Sequence, residues 1–202
     1  MGRLYIVSAP SGAGKSSLLN ALIEQVPDVK ISVSTTTRAK RPGEEDGKHY
    51  HFESIEQFES KIEKDEFYEY AKVFDNYYGT SKTWVAQQLE SGVDVILEID
   101  WQGAQQMRQI RDDIITIFIV PPSIEALHNR LVGRGQDSDE IIAKRMSEAT
   151  SEISHYDEYN YVVINDEFDH AVNMIKSIFQ SNRLTLDAQL KTNKALLDDL
   201  LV

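Results

Sequence analysis

The chain contains no cysteine, which removes disulfides, thiolate metal sites and thiol chemistry together. No apolar run approaches the roughly 18 residues that a membrane span requires. The first residues lack the basic and apolar regions of a signal peptide, so a cytoplasmic location is expected. Basic residues are in deficit: 21 Lys and Arg stand against 33 Asp and Glu, a formal net charge of −12. Such a balance argues against a general nucleic-acid binder. It leaves room for small anionic ligands, because a site can be locally positive on an acidic protein. Internal repeats and low-complexity linkers are absent as well. What is present is 202 residues, 41% hydrophobic and 27% charged, enough for one α/β domain with a real core.

Apolar patterning divides the chain into alternating strands and helices. Leu4 to Val7 reads as a buried strand, and Leu18, Leu19, Leu22, Ile23 and Val26 recur at helical period up to Pro27. Ile31 to Ser34 alternates and predicts a second strand. A polar stretch from Thr35 to Lys48 follows, with a turn at Pro42-Gly43. Tyr50 to Phe52 reads as a short strand. Ser54-Ile55-Glu56-Gln57 is a capping-box signature for a helix that should bury Ile55, Phe58 and Ile62. Phe67 to Tyr78 has strand character, so Arg38 to Gly79 reads as an insertion of one helix and a small sheet. Beyond it, Thr83–Ser91 is expected as a helix, Val93–Asp100 as a buried strand and Gln102–Arg111 as a helix. Ile114–Val120 predicts another buried strand, and Ser123 should cap a helix carrying Ile124, Leu127 and Leu131. A polar Gly-Arg-Gly segment precedes a long helix from about Asp139 to Glu158. Tyr161–Asn165 should be the last strand, and the remainder helical, its terminal leucines either packing on the parent domain or pairing with another subunit. Strands alternating with helices imply right-handed crossovers and a parallel sheet covered on both faces. Ligands in such sheets bind beyond the carboxyl ends of strands.

One such end carries the strongest chemical signal. Ala9-Pro10-Ser11-Gly12-Ala13-Gly14-Lys15-Ser16-Ser17 follows the first strand and opens a helix. Small residues let successive backbone N–H groups turn inward on phosphate oxygens, Lys15 adds a point charge, and the Ser16 hydroxyl suits Mg²⁺. Ala9 stands where the G-x-x-x-x-G-K-[ST] pattern has its first glycine. Arg38 and Arg41, three apart in a polar loop, can close around a phosphate by forked hydrogen bonds, with hydroxyls from Tyr50 and Tyr78. Arg130, Arg134 and Arg145 flank the Gly-rich segment and suit a lid over transferring phosphates. Glu69, among Phe67, Tyr68 and Tyr70, either faces solvent or accepts two N–H bonds from a base edge. Asp100 either supports Mg²⁺, through water, or caps the following helix.

Together these segments resemble the guanylate kinase family in its bacterial form. The resemblance rests on Ser8 to Ser16, Ser34-Thr35-Thr36-Thr37-Arg38, Arg41-Pro42-Gly43-Glu44, Gly47 to Phe52 and Asn76 to Thr80. It continues through Glu98 to Ala104, Gly133-Arg134-Gly135 and Val163 to Asp166, and covers about residues 3 to 182. It implies an α/β fold: a P-loop NTPase core with a parallel sheet flanked by helices, an inserted small α+β GMP-binding region and a helical lid. The corresponding boundaries are a core of about 1–33, 80–124 and 156–202, a GMP-binding region of about 34–79, and a lid of about 125–155. It implies Mg²⁺-dependent phosphoryl transfer from ATP to GMP, with dGMP as a second acceptor, in purine nucleotide metabolism. By position, Arg38, Arg41, Tyr50 and Tyr78 hold the GMP phosphate and Glu69 accepts from guanine N1–H and the 2-amino group. Ser34 and Thr80 present hydroxyls near guanine O6, and Asp100 lies between guanine and metal. Residues Ala9 to Ser17, with Arg130, Arg134 and Asn165, serve ATP. Lys15, Arg38, Arg134, Arg145 and Asp100 act on the transferring group, and Ser16 holds Mg²⁺. Thr80 stands where serine is common in the family. The rival readings are a guanylate-kinase-like interaction module without catalysis and a kinase for another nucleoside monophosphate. The chain is expected as a monomer or a homo-oligomer formed through its C-terminal helix.

Overall fold

A computed structural model describes residues 1–73, 75–133 and 138–201. Nine strands and eight helices are assigned among them. In chain order they are β1 (Leu4–Ser8), α1 (Lys15–Gln25), β2 (Val29–Ile31), β3 (Thr35–Thr36), β4 (His51–Phe52) and α2 (Ile55–Glu63). Next come β5 (Phe67–Val73), β6 (Asn76–Ser81), α3 (Lys82–Glu90), β7 (Asp94–Glu98), α4 (Trp101–Ile110) and β8 (Ile115–Val120). The chain closes with α5 (Ile124–Gly133), α6 (Asp139–Ile153), β9 (Tyr161–Ile164), α7 (Phe168–Arg183) and α8 (Leu186–Asp199). No helix among the described residues is long and apolar enough to cross a membrane.

The chain forms two compact units. One comprises residues 2–8 and 28–117. In it β1 and β2 both pair in parallel with β7, Leu4 opposite Val95 and Val29 opposite Asp94. Tyr5, Ile6, Val7, Val95 and Ile96 are wholly buried, as continuous apolar runs in a covered parallel sheet should be. A second sheet has the order β4-β3-β6-β5. Its centre is the two-residue strand β3, parallel to β4 and antiparallel to β6. The helix α2 starts with the expected reciprocal cap: Gln57 N–H donates to Ser54 Oγ at 3.2 Å and Ser54 N–H to Gln57 Oε1 at 2.9 Å. It buries Phe58, which stacks on Phe67 at 4.4 Å and on Tyr77 at 5.2 Å between ring centroids. Gly79 is required by this packing, since a Cβ there would meet the Phe58 ring at 2.9 Å.

The other unit comprises Met1, Ala9–Pro27 and Phe118–Val202. Helix α1 packs on α7, burying Leu18, Leu19 and Leu22 in one and Ala171, Val172, Ile175 and Phe179 in the other. Leu127 and Leu131 of α5 meet Ile142 and Ala149 of α6, with Met146 against them. Strands β8 and β9 are neighbours.

Four local expectations change or narrow. The second strand ends at Ile31; Ser32 N–H still donates to Ile96 O at 2.8 Å, but the chain then leaves β7 so that Thr35–Thr36 can enter the other sheet. Ile55, expected in the core, is exposed, because it is the first helical residue of α2, where the apolar face has not yet turned inward. Helix α6 stops at Ile153, where the Ser154 hydroxyl donates to Ser151 O, and Tyr156–Glu158 forms a separate 3-10 turn. The terminal leucines do not pack inward: Leu186, Leu190, Leu196, Leu200 and Leu201 are exposed, and Thr185 caps α8 as a helix distinct from α7.

Candidate active site

The turn after β1 is built by glycine. Gly12 and Gly14 both have φ of +92°, a conformation L side chains rarely adopt. Ala13 N–H donates to Pro10 O at 3.0 Å, and Gly14 is the N-cap of α1. Lys15 and Ser16 are therefore the first two residues of an 11-residue helix with no acid in its first turn. The N–H groups of a helix's first turn and the helix dipole make such an end attractive to an anion. The curl is held from behind by Asn165, buried at the end of β9, whose Nδ2 donates to Ala13 O at 2.7 Å. A Cβ on Gly14 would lie 2.5 Å from that same nitrogen. Arg130 of α5 donates from Nη2 to Asn165 O at 2.8 Å. Its Nη1 is buried and has no acceptor among the described residues. These groups line a cavity of about 430 Å³ formed by Gly12, Gly14, Ser17, Arg130, Gly133, Asn165, Asp166 and Phe168. Cationic and N–H donors together with an exposed aromatic, Phe168, suit a nucleoside polyphosphate.

A second cavity, about 410 Å³, lies within the unit of residues 2–8 and 28–117. Ser34, Arg41, Tyr50, Glu69, Ala71, Tyr78, Gly79, Glu98, Ile99 and Asp100 line it. Glu69, on β5, is buried and accepts the Thr80 hydroxyl hydrogen at 2.6 Å. Burial pushes its carboxyl up to about 7; the Thr80 bond opposes this and the nearby charge of Asp100 adds to it. Asp100 caps α4, accepting Gly103 N–H at 2.8 Å. Its position is tied down through Ile99, whose carbonyl accepts the buried Ser8 hydroxyl at 2.7 Å. Tyr50 and Tyr78 meet edge to face at 6.0 Å, and burial raises the Tyr50 pKa. The guanidinium of Arg38 lies 5.4 Å from the Tyr50 ring centre and forms an ion pair with Glu44 at 2.7 Å. That pair holds the Arg38 pKa above its ordinary value and the Glu44 carboxyl down to about 2.

Six sequence-predicted residues, Ser34, Arg41, Tyr50, Glu69, Tyr78 and Asp100, thus line one cavity. Thr80 and Arg38 stand just behind its wall, against Glu69 and Tyr50. Gly12, Gly14, Ser17, Arg130 and Asn165 line the other. Ala9, Pro10, Ser11 and Ala13 form the turn itself. Arg145 is half-buried on α6 and lines neither cavity; Arg134 lies outside the described residues. Sequence reasoning missed Glu98, Asp166 and Phe168 as lining residues and Glu44 as the partner of Arg38. Glu98 was findable, since it sits two residues before Asp100 and so shares its side of an extended chain. Phe168 carries no such signal: a lone aromatic at a helix start is ordinary.

The guanylate kinase family model matches residues 1–182. The chain belongs to the guanylate kinase family. Proteins named guanylate kinase from Pseudoalteromonas translucida and Pasteurella multocida are each 58% identical to it. The alignments cover 99% of this chain in both cases, and 97% and 98% of those relatives. The crystal structure of guanylate kinase from Anaplasma phagocytophilum superposes with a TM-score of 0.74 at 32% identity, covering 95% of each chain. The mixed α/β architecture, with its parallel sheet flanked by helices, is therefore that of a guanylate kinase. Helix α8 begins beyond the matched span of the family model.

Proposed function

We propose that the chain transfers the γ-phosphoryl group of ATP to GMP, and to dGMP, giving ADP and the guanine nucleoside diphosphate for purine nucleotide metabolism. The observation that carries this reading is the buried Glu69 carboxylate with its Thr80 partner, in a cavity also lined by the Arg41 side chain and two tyrosines. An ionised carboxylate accepts from both guanine N1–H and the 2-amino group. Adenine has neither donor, so AMP would leave a buried acceptor unpaired, a mismatch costing several kcal/mol. In this reading Ser34 and Thr80 sit near guanine O6, and Arg38, Arg41, Tyr50 and Tyr78 hold the acceptor phosphate.

The donor polyphosphate lies on the turn from Ala9 to Ser17, where backbone N–H groups and Lys15 take the β- and γ-oxygens. The buried Nη1 of Arg130, without an acceptor among the described residues, suits a phosphate oxygen. Asn165 holds the turn in shape and borders the base, and Arg134 and Arg145 add charge within a lid of about residues 125–155. No group of three or more acidic or histidine side chains among the described residues can hold a metal. Mg²⁺ would be held by the Ser16 hydroxyl at the start of α1, together with phosphate oxygens and water. When bound it neutralises charge on the transferring group. Asp100 serves the acceptor pocket and reaches the metal only through water.

Catalysis in this scheme is positioning and charge neutralisation. The attacking GMP oxygen is already ionised, so no general base is needed; the cations offset the repulsion between two anionic substrates. The test is a coupled ADP-release assay offering GMP, dGMP, AMP, UMP and CMP in turn. Turnover with GMP and dGMP alone is expected. Turnover with no acceptor would favour the non-catalytic module.

A further inference from the structure

The pairing of Arg38 with Glu44 has no place in the scheme above. A site built to attract a phosphate dianion holds, beside its own cation, a carboxylate that repels that dianion. Glu44 must do something that outweighs this repulsion.

Its contacts show what. Glu44 Oε1 accepts from Arg38 Nη2 at 2.7 Å, and Glu44 Oε2 accepts the backbone N–H of Arg41 at 2.8 Å. The backbone closes the same turn a second time, Glu44 N–H donating to Arg41 O at 3.1 Å. One carboxylate therefore grips the side chain of one clamp arginine and the main chain of the other. Arg38 is further held by Nη1 donating to Ala39 O at 2.8 Å and by the rings of Tyr50 and Phe52, 5.4 and 5.8 Å from its Cζ. Both partners of the ion pair are largely sheltered, with side chains 14% and 18% exposed. An arginine has five N–H donors in a fixed fork. Glu44 and Ala39 O take two, the Tyr78 hydroxyl engages the same guanidinium, and these directions set where the remaining donors point.

We propose that Glu44 is a positioning residue for the acceptor phosphate, orienting the Arg38 guanidinium and pinning the Arg41 backbone so that the two arginines form one preset clamp. The proposal rests on the reading of Arg38 and Arg41 as holders of the GMP phosphate. Glu44 stays in place when the phosphate arrives, because two of its bonds belong to the local turn and do not involve Arg38. Two cations against one anion leave the clamp net positive. The carboxyl is held near 2, so its charge is constant over any assay pH. The free energy of ordering a long side chain is met in the folded chain and not at binding.

The test compares GMP and guanosine affinities by calorimetry on the full chain and on the Glu44→Gln, Arg38→Ala and double variants. Glu44→Gln is expected to weaken GMP about tenfold, the scale of a coupled contact pair. Guanosine affinity should stay unchanged, which also reports an intact pocket. In the Arg38→Ala background the added loss from Glu44→Gln should be several-fold smaller. Unchanged or tighter GMP binding in Glu44→Gln, equal losses for GMP and guanosine, or an undiminished loss in the Arg38→Ala background would each overturn the proposal. If Arg38→Ala itself leaves GMP affinity intact, the assignment of the clamp arginines fails instead.

Discussion

The Thr80 hydroxyl donates to Glu69 Oε1 at 2.6 Å in a pocket where both residues are buried. The hydroxyl is a hydrogen-bond partner of a carboxylate whose burial and whose neighbour Asp100 both favour the protonated form. The pair therefore sits near a protonation balance around neutral pH, which guanine in the proposed site would shift toward the ionised form.

Guanine binding should release a proton. Glu69 titrates at about 7 in the empty pocket, and accepting two N–H bonds requires the ionised form. Guanosine is the clean probe, because the GMP phosphate also titrates near 6. Guanosine affinity should rise about tenfold from pH 6 to pH 8 and level off above 7. Calorimetry in buffers of different ionisation heat reads the proton directly; an affinity flat across that range would refute the assignment.

Glu69→Gln should raise stability at pH 8 while abolishing guanine selectivity. The folded pKa of about 7 lies above the ordinary 4.5, so the folded state binds the proton more tightly. That contribution is complete below 4.5 and is lost as pH rises through 7. A neutral amide removes the cost of the buried charge, on the order of 3 kcal/mol at most. Thermal melts of both proteins at pH 5 and pH 8 should converge at the lower pH and separate at the higher.

Thr80→Val should move the same balance in a known direction. Its hydroxyl bond lowers the Glu69 pKa, so removing it raises that pKa and shifts the guanosine transition to higher pH. Leaving a buried acceptor unpaired costs about 1–3 kcal/mol. Thr80→Ser, which keeps the hydroxyl, should leave the transition where it is.

Gly14→Ala should damage the donor turn through two independent effects. The residue has φ of +92°, and the new Cβ would lie 2.5 Å from Asn165 Nδ2. Adopting that φ alone costs about 1–2 kcal/mol for a non-glycine residue. Displacing Asn165 also loosens its bond to Ala13 O. ATP affinity, read by calorimetry, should fall by at least tenfold.

Lys15→Met should lower kcat by at least about a hundredfold, the scale seen when one charge-stabilising donor is removed from a transition state. GMP affinity should persist. A proportional loss of GMP binding would show that Lys15 does not belong to the donor side.

Much of this was legible in the chain because the interactions concerned are short in sequence. The Ser54–Gln57 cap, the glycine turn before Lys15 and the apolar runs of β1 and β7 depend on neighbours within a few residues, and each forms as the residue types require. Asp100 shows the limit of that reasoning. Its two candidate roles, helix cap and site acid, were both readable and unranked; in the structure it caps α4 and also lines the cavity that Glu69 lines. Ile55 shows it too, since a periodic pattern does not say at which residue burial begins.

The sequence by itself determined the glycine turn before Lys15, the alternation of strands and helices in the core, and, through its family resemblance, the residue types expected to hold a guanine nucleotide. Only the tertiary structure decided which of those residues meet. Asn165 closes on Ala13 across 152 positions, and Glu69 is neutralised toward a pKa of about 7 by the burial that β5 and β6 create around it. Arg38 points where Glu44 and the Tyr50 ring direct it. Local propensity depends on residues a few places apart, whereas the desolvation that shifts a pKa and the packing that orients a guanidinium depend on segments brought together only when the sheets form.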